Sequence, residues 1–311
     1  MAEILWGTAP IAFEMIHFHA ALSSIAISAQ RLAIASLVLV VATVSLGLVR
    51  SVGEAVLAHP ARIAMLGAGI AGYQTLWFAS ITHVGSSTAT VLSLGSATVL
   101  VPAWESWRAR ARPSTGREIV VIAAVIGLVL VSSSAEHGDA GSGDRALGLG
   151  MATCSLVLYA VTTVLSMRTT GRVRPPALTT ASTAIGAAFL FPIAASTGSV
   201  VTSDTTSFLA LAYLGVVTMT PGYLLLYSCL RTAPASAAVV ATLIEPATAT
   251  ELAFLVLGDR LTVPAMIDVI LILVSIGVLH LVSGSRAGPA RGDEGTLGPV
   301  MFQRIHKPAA H

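Results

Sequence analysis

The chain has 311 residues, of which 55% are hydrophobic and only 10% charged, whereas a soluble domain carries about 25% charged residues. With a mean hydropathy of +0.84, this balance describes a polytopic membrane protein and excludes a soluble globular domain. A formal net charge of +2 is too small to imply a nucleic-acid partner.

Ten apolar spans follow one another at about residues 2–18, 28–49, 61–82, 86–104, 116–134, 146–167, 176–197, 207–230, 235–257 and 263–282. Met1-Ala-Glu lacks a basic start and no small-residue cleavage site follows the first run, so insertion is expected to come from the spans themselves. The first span is short and contains Glu14. Either the true start lies upstream of Met1, or this helix depends on its neighbours. Residues 285–311 turn polar, with Gly, Pro and scattered charge, and are expected to form a disordered tail.

Arginine placement sets the orientation. Connections after the second, fourth, sixth and eighth spans hold Arg50, Arg62, Arg108, Arg110, Arg112, Arg117, Arg168, Arg172, Arg174 and Arg231, and the tail adds four more basic residues. The opposite connections hold Arg145 and Arg260 against Glu136, Asp139, Asp144, Asp204 and Asp259. Both termini are therefore expected in the cytoplasm, which requires an even number of spans.

The chain also maps onto itself when shifted by 150 residues: Gly72-Tyr73 falls on Gly222-Tyr223, Leu76 on Leu226, Ser86 on Ser236 and Ile126-Gly127 on Ile276-Gly277. Five spans per repeat is an odd number, so the two halves enter the membrane in opposite directions. Inverted repeats are a transporter signature, with the site at the bilayer midplane between the halves. The expected layout is a first five-helix repeat over 1–134, an extracytoplasmic linker over 135–145, a second repeat over 146–284 and the tail over 285–311.

The ninth span carries a carboxylate and a proline, Glu245-Pro246, near its centre. From Ala235 to Leu257 a helix covers roughly 35 Å, enough to cross a hydrocarbon core of ~30 Å. Glu245 is thus expected near the midplane, where an ionisable group costs at least ~2.5 kcal/mol and marks a substrate or ion path. It is a candidate for proton coupling or for binding a substrate ammonium; the alternative is a structural acid bonded to hydroxyls on facing helices. Pro246 and the pair Pro221-Gly222 are candidate helix breaks.

Tyr73 and Trp77 lie one helical turn apart, and the repeat copies them as Tyr223 and Tyr227. Aromatics at matched depth can wall a central cavity, or serve only as packing. Gln74 sits beside this face, and Trp6 and Tyr159 are similar candidates in the first and sixth spans. Arg31, expected within one turn of the outer end of its span, either snorkels to water or binds an anionic substrate group or anchors a gate.

Two lookalikes carry no chemistry on this reading. Gly67-Ala-Gly69-Ile-Ala-Gly72 matches a dinucleotide fingerprint but lies inside a span, where small residues serve close helix packing. His17-Phe18-His19 has no third or fourth ligand nearby, and Cys154 and Cys229 have no zinc or redox spacing, so no metal is expected. Nor is a cofactor. Lys307 is the only lysine, and no P-loop motif exists to bind ATP.

The residues resemble the EamA-type transporters of the drug/metabolite transporter superfamily. The likeness rests on Leu5-Trp6-Gly7, Ala29-Gln30-Arg31, the run Thr232–Ala238 that opens the ninth span, Glu245-Pro246, and Leu257-Gly258-Asp259-Arg260-Leu261-Thr262. It covers roughly residues 4–284. Asp259 departs from the family's usual Glu after Gly, and Gly95-Ser96 in the first half has no acid–proline pair opposite Glu245-Pro246. The resemblance implies ten helices in two inverted five-helix halves within the bacterial plasma (inner) membrane, and no enzymatic activity. It implies export of a small metabolite such as an amino acid by alternating access, or of an amphipathic or cationic drug. A rival of another class is a membrane scaffold that transports nothing. The partners implied are a small-molecule substrate and the lipid bilayer, with protons as a candidate coupling ion and a homodimer as a candidate assembly.

Overall fold

The computed structural model describes residues 1–20, 22–95, 142–198 and 204–232, together with Glu245 and Thr248. Every regular element among these is helical. The spans expected at 116–134 and 263–282, residues 96–104 of the one expected at 86–104, most of the one at 235–257, Pro246 and the tail lie outside the described residues.

The expected first span is two helices, α1 (Ala2–Gly7) and α2 (Ala9–Ala20), separated at Thr8. Gly7 is a poor helix former, and Pro10 has no N–H to offer the Trp6 carbonyl. The Thr8 hydroxyl donates to the Leu5 carbonyl at 2.7 Å and accepts from the Tyr213 hydroxyl at 2.8 Å, which ties the break to the far half of the chain.

Ser23 caps α3 (Ser24–Ser45), its Oγ accepting from the Ala26 N–H at 3.2 Å. The helix thus starts about one turn earlier than hydropathy suggests. It stops where Gly47 adopts a positive φ of 67°. The amphipathic helix α4 (Val49–Ala58) then meets α5 (Pro60–Val84) at 101°. Pro60 opens α5 at a position where a helix needs no N–H donor. The short α6 (Ser86–Thr90) leads into a π-turn at Val91–Gly95.

In the second half, α7 (Ser142–Thr170) and α8 (Pro175–Thr197) match the expected spans to within a turn. The eighth span begins as α9 (Thr205–Ala212), widens into a π-helix over Tyr213–Met219 and resumes as α10 (Thr220–Thr232). Pro221 explains the widening, since it cannot donate to the carbonyl four residues back. The Thr220 N–H reaches instead to the Gly215 carbonyl, five residues back, and the Thr220 hydroxyl donates to the same oxygen at 3.0 Å.

Helix α5 runs through the middle of the described bundle, against α7 on one side and α8 on another. Its glycines allow this. A Cβ on Gly67 would lie 2.7 Å from the Ser182 carbonyl oxygen and 2.8 Å from the Gly186 nitrogen; Gly69 faces Thr162, and Gly72 faces Leu158. All three glycines of the nucleotide-like run are therefore helix-crossing points. Large apolar side chains such as Leu37, Val44, Phe189 and Phe208 point outward, a surface that suits lipid and not water. Four described helices are long and apolar enough to cross a membrane: Ser24–Ser45, Asp144–Thr170, Pro175–Thr197 and Thr205–Arg231. The bent pair α4–α5 supplies a fifth if taken together. This is a multi-pass membrane protein.

Candidate functional site: a buried polar centre between the halves

The polar centre is built on three helices of the first half and on the widened eighth span. Arg31 lies two turns into α3 and only 3% exposed, because Ser23 starts the helix early. It does not snorkel. Its Nη2 donates to the Thr218 hydroxyl at 3.1 Å, and its guanidinium sits 5.6 Å from the centre of the Phe78 ring. The charge of Glu245 and the phenol oxygens of Tyr73 and Tyr223 lie within electrostatic reach of the guanidinium.

Thr218 was not legible as a site residue, yet it joins two of the candidates. Its hydroxyl holds Arg31 while donating to the Leu214 carbonyl at 2.6 Å, and its carbonyl accepts from the Trp6 indole N–H at 3.1 Å. The only sequence signal is a threonine three residues before Pro221-Gly222. Gly222 matters for what it lacks: a Cβ there would come within 2.9 Å of the Trp6 ring. Pro221 and Gly222 therefore do not interrupt the eighth span; they sit just after its π-turn, where Gly222 leaves room for the Trp6 indole.

Two of the candidate tyrosines meet directly. The Tyr73 and Tyr223 hydroxyls are hydrogen-bonded to each other. Tyr159 stands edge-on to Tyr73 at 5.1 Å, Trp6 is tilted against Tyr223 at 5.2 Å, and Tyr227 is edge-on to Tyr223 at 5.7 Å. Gln74 is 1% exposed; its Nε2 reaches the Tyr223 hydroxyl at 3.5 Å and the Met219 sulfur at 3.7 Å. Trp77 turns elsewhere: its indole donates to the Thr90 hydroxyl at 3.2 Å and stacks on Phe78 at 4.8 Å.

Glu245 is helical and 1% exposed. The segment carrying it packs directly on α1, since a Cβ on Gly7 would lie 2.8 Å from the Glu245 carbonyl oxygen and 2.7 Å from the Thr248 Cβ. The structure thus gathers Trp6, Arg31, Tyr73, Gln74, Tyr159, Tyr223, Tyr227 and Glu245 into one buried region. A guanidinium, a carboxylate, an amide and several phenols in an apolar bundle can solvate a small polar molecule that has left water behind.

Residues 146–281 match the model of the EamA-like transporter family. Over those residues the chain carries an EamA-like transporter domain. The matched residues are those expected to form the second repeat. The chain is 26% identical over 212 residues to an "Uncharacterized transporter" of Clostridium kluyveri, covering 67% of each chain. It is 27% identical over 213 residues to the "Uncharacterized transporter YwfM" of Bacillus subtilis, covering 68% of this chain and 70% of the other. A crystal structure with 17% sequence identity superposes with a TM-score of 0.72 over 92% of this chain and 96% of its own. That likeness speaks to the all-helical fold alone.

Proposed function

We propose that this EamA-type transporter moves a small metabolite, an amino acid or related compound, outward across the bacterial plasma membrane by alternating access. The observation that carries this reading is the convergence of Arg31, Tyr73 and Gln74 from the first half with Thr218, Tyr223 and Glu245 from the second, all buried within a bundle whose outer surface is apolar. On this reading ten helices form two inverted five-helix halves with cytoplasmic termini, the halves rock about this centre, and Glu245 couples protons to transport. The π-turn at Tyr213–Met219, with Pro221 behind it, provides local give.

The test is efflux from cells loaded with a mixed pool of labelled amino acids and related metabolites, comparing native protein, Glu245→Gln and empty vector at two external pH values. Efflux of one compound class that needs the native protein and fails in Glu245→Gln is the expected result. Full, pH-dependent efflux by Glu245→Gln would remove the coupling role. A flat pool with the protein confirmed in the membrane would turn the reading towards a drug-like substrate or a scaffold.

A further inference from the structure

The centre contains polar atoms that the protein itself does not satisfy. Arg31 and Gln74 are 3% and 1% exposed, yet the Arg31 Nε and the Gln74 Oε1 have no hydrogen-bond partner. A buried guanidinium is costly to keep and has five donors to place. Here, among the described residues, its one side-chain hydrogen bond goes to Thr218, an uncharged hydroxyl. Unmade hydrogen bonds at such depth are costly, most of all for a charged group. Along α8, by contrast, buried hydroxyls are bonded to their own helix, as Thr179 to the Pro175 carbonyl and Thr183 to the Thr179 carbonyl. The two open atoms also belong to one place, because the consecutive residues Thr218 and Met219 touch Arg31 and Gln74 respectively.

We propose that Arg31, oriented by Thr218, is the receptor for a carboxylate group on the transported molecule, with the open oxygen of Gln74 accepting an N–H or O–H from the same molecule. A carboxylate fits better than a phosphate. It is planar, carries one charge and matches the guanidinium edge through paired N–H···O bonds. A single arginine beside the negative charge of Glu245 cannot neutralise a dianion. Thr218 is a positioning residue: it fixes the Nη2 end of the fork, which leaves the Nε edge turned to the ligand. The aromatic rings of Trp6 and Tyr223 near this group suit an apolar or aromatic body attached to the carboxylate.

This rests on the transporter reading for its physiological meaning, but binding can be read without transport. Purified protein in detergent is titrated with phenylacetate, acetate and phenethylamine, following tryptophan fluorescence, for which Trp6 beside Thr218 is a natural reporter. The expected result is saturable binding of phenylacetate, weaker binding of acetate and none of phenethylamine. Arg31→Gln should weaken phenylacetate binding about 10- to 100-fold. Arg31→Lys keeps the charge but loses the fork, and should lie in between. Thr218→Val should weaken binding several-fold, and Thr218→Ser should restore it. If Arg31→Gln does not fold, Arg31→Lys and the Thr218 pair decide. Native affinity for phenylacetate in these variants, or a response of the native protein to phenethylamine and to neither carboxylate, would overturn the proposal. Carboxylate binding with no efflux of any labelled compound would keep the subsite and remove the transport reading instead.

Discussion

Two regions of this bundle bury comparable amounts of polarity and treat it in opposite ways. Along α8, where it packs on α3 and α5, the hydroxyls of Thr179, Thr180, Ser182 and Thr183 donate to carbonyls of their own helix at 2.8–3.3 Å. Thr43 of α3 then donates to the Thr180 oxygen at 3.1 Å. At the centre the bonds run between residues 145 to 212 apart in sequence, as from Trp6 or Arg31 to Thr218 and from Gln74 to Met219, and donors and acceptors are left over. Hydroxyls that satisfy themselves let helices pack closely at little cost. Groups that reach across the bundle, and still have bonds to make, are arranged for something else.

The comparison is broken most directly by removing the charges from the centre. Replacing Arg31→Met together with Glu245→Gln should abolish efflux while the thermal midpoint in detergent holds or rises, because two desolvated charges are gone together. Surviving efflux would make the centre structural. Next in size is the helix crossing: Gly67→Val drives a side chain into the Ser182 carbonyl and the Gly186 nitrogen, and should cost about 1–3 kcal/mol or more of stability, read as a lowered thermal midpoint and reduced yield.

Smaller again is the contrast between two identical substitutions. Thr183→Val deletes a hydroxyl that donates only to carbonyls of its own helix and should change stability by under ~1 kcal/mol with efflux intact. Thr218→Val is the same chemistry at the centre and should impair efflux several-fold. Equal effects would erase the distinction between the two regions.

The smallest effect belongs to the water-facing edge. Asp204 caps α9 by accepting from the Ser207 N–H at 2.7 Å, and that bond holds its carboxyl below the ordinary value of 3.8. Its contribution is present above that value and is lost as pH falls through the lowered one. Asp204→Ala should therefore lower the thermal midpoint slightly at neutral pH, with the difference from native vanishing in strong acid.

Much of this was legible in the sequence, for reasons that mark where legibility ends. Hydropathy locates α7 and α8 to within a turn because lipid demands length and apolarity. The repeat register brought Tyr73 and Tyr223 forward as matched residues. Hydropathy is blind, however, to where backbone groups go. It read one span across Thr8, although Gly7 and Pro10 together mark the break. It placed Arg31 near the outer end because it missed the Ser23 cap. It also passed over α4, whose apolar positions Val52 and Val56 pack inward while Arg50 and Glu54 pair at 2.8 Å outside. Thr218 was beyond reach, since nothing in a threonine says that its carbonyl and hydroxyl will meet an indole and a guanidinium from other helices.

The bond between Tyr73 and Tyr223 joins residues 150 apart, the interval of the proposed repeat. On the register proposed above, these are the same residue in two copies, and equivalent residues can touch only where the axis exchanging the copies passes between them. In an ancestor assembled from two identical five-helix chains, this contact would have been a tyrosine meeting its own duplicate. A single codon would then have governed both sides of it, so the contact was kept or lost as a whole. Fusion into one gene would have released that constraint, and one turn along the same helices the matched positions hold different residues, Trp77 and Tyr227.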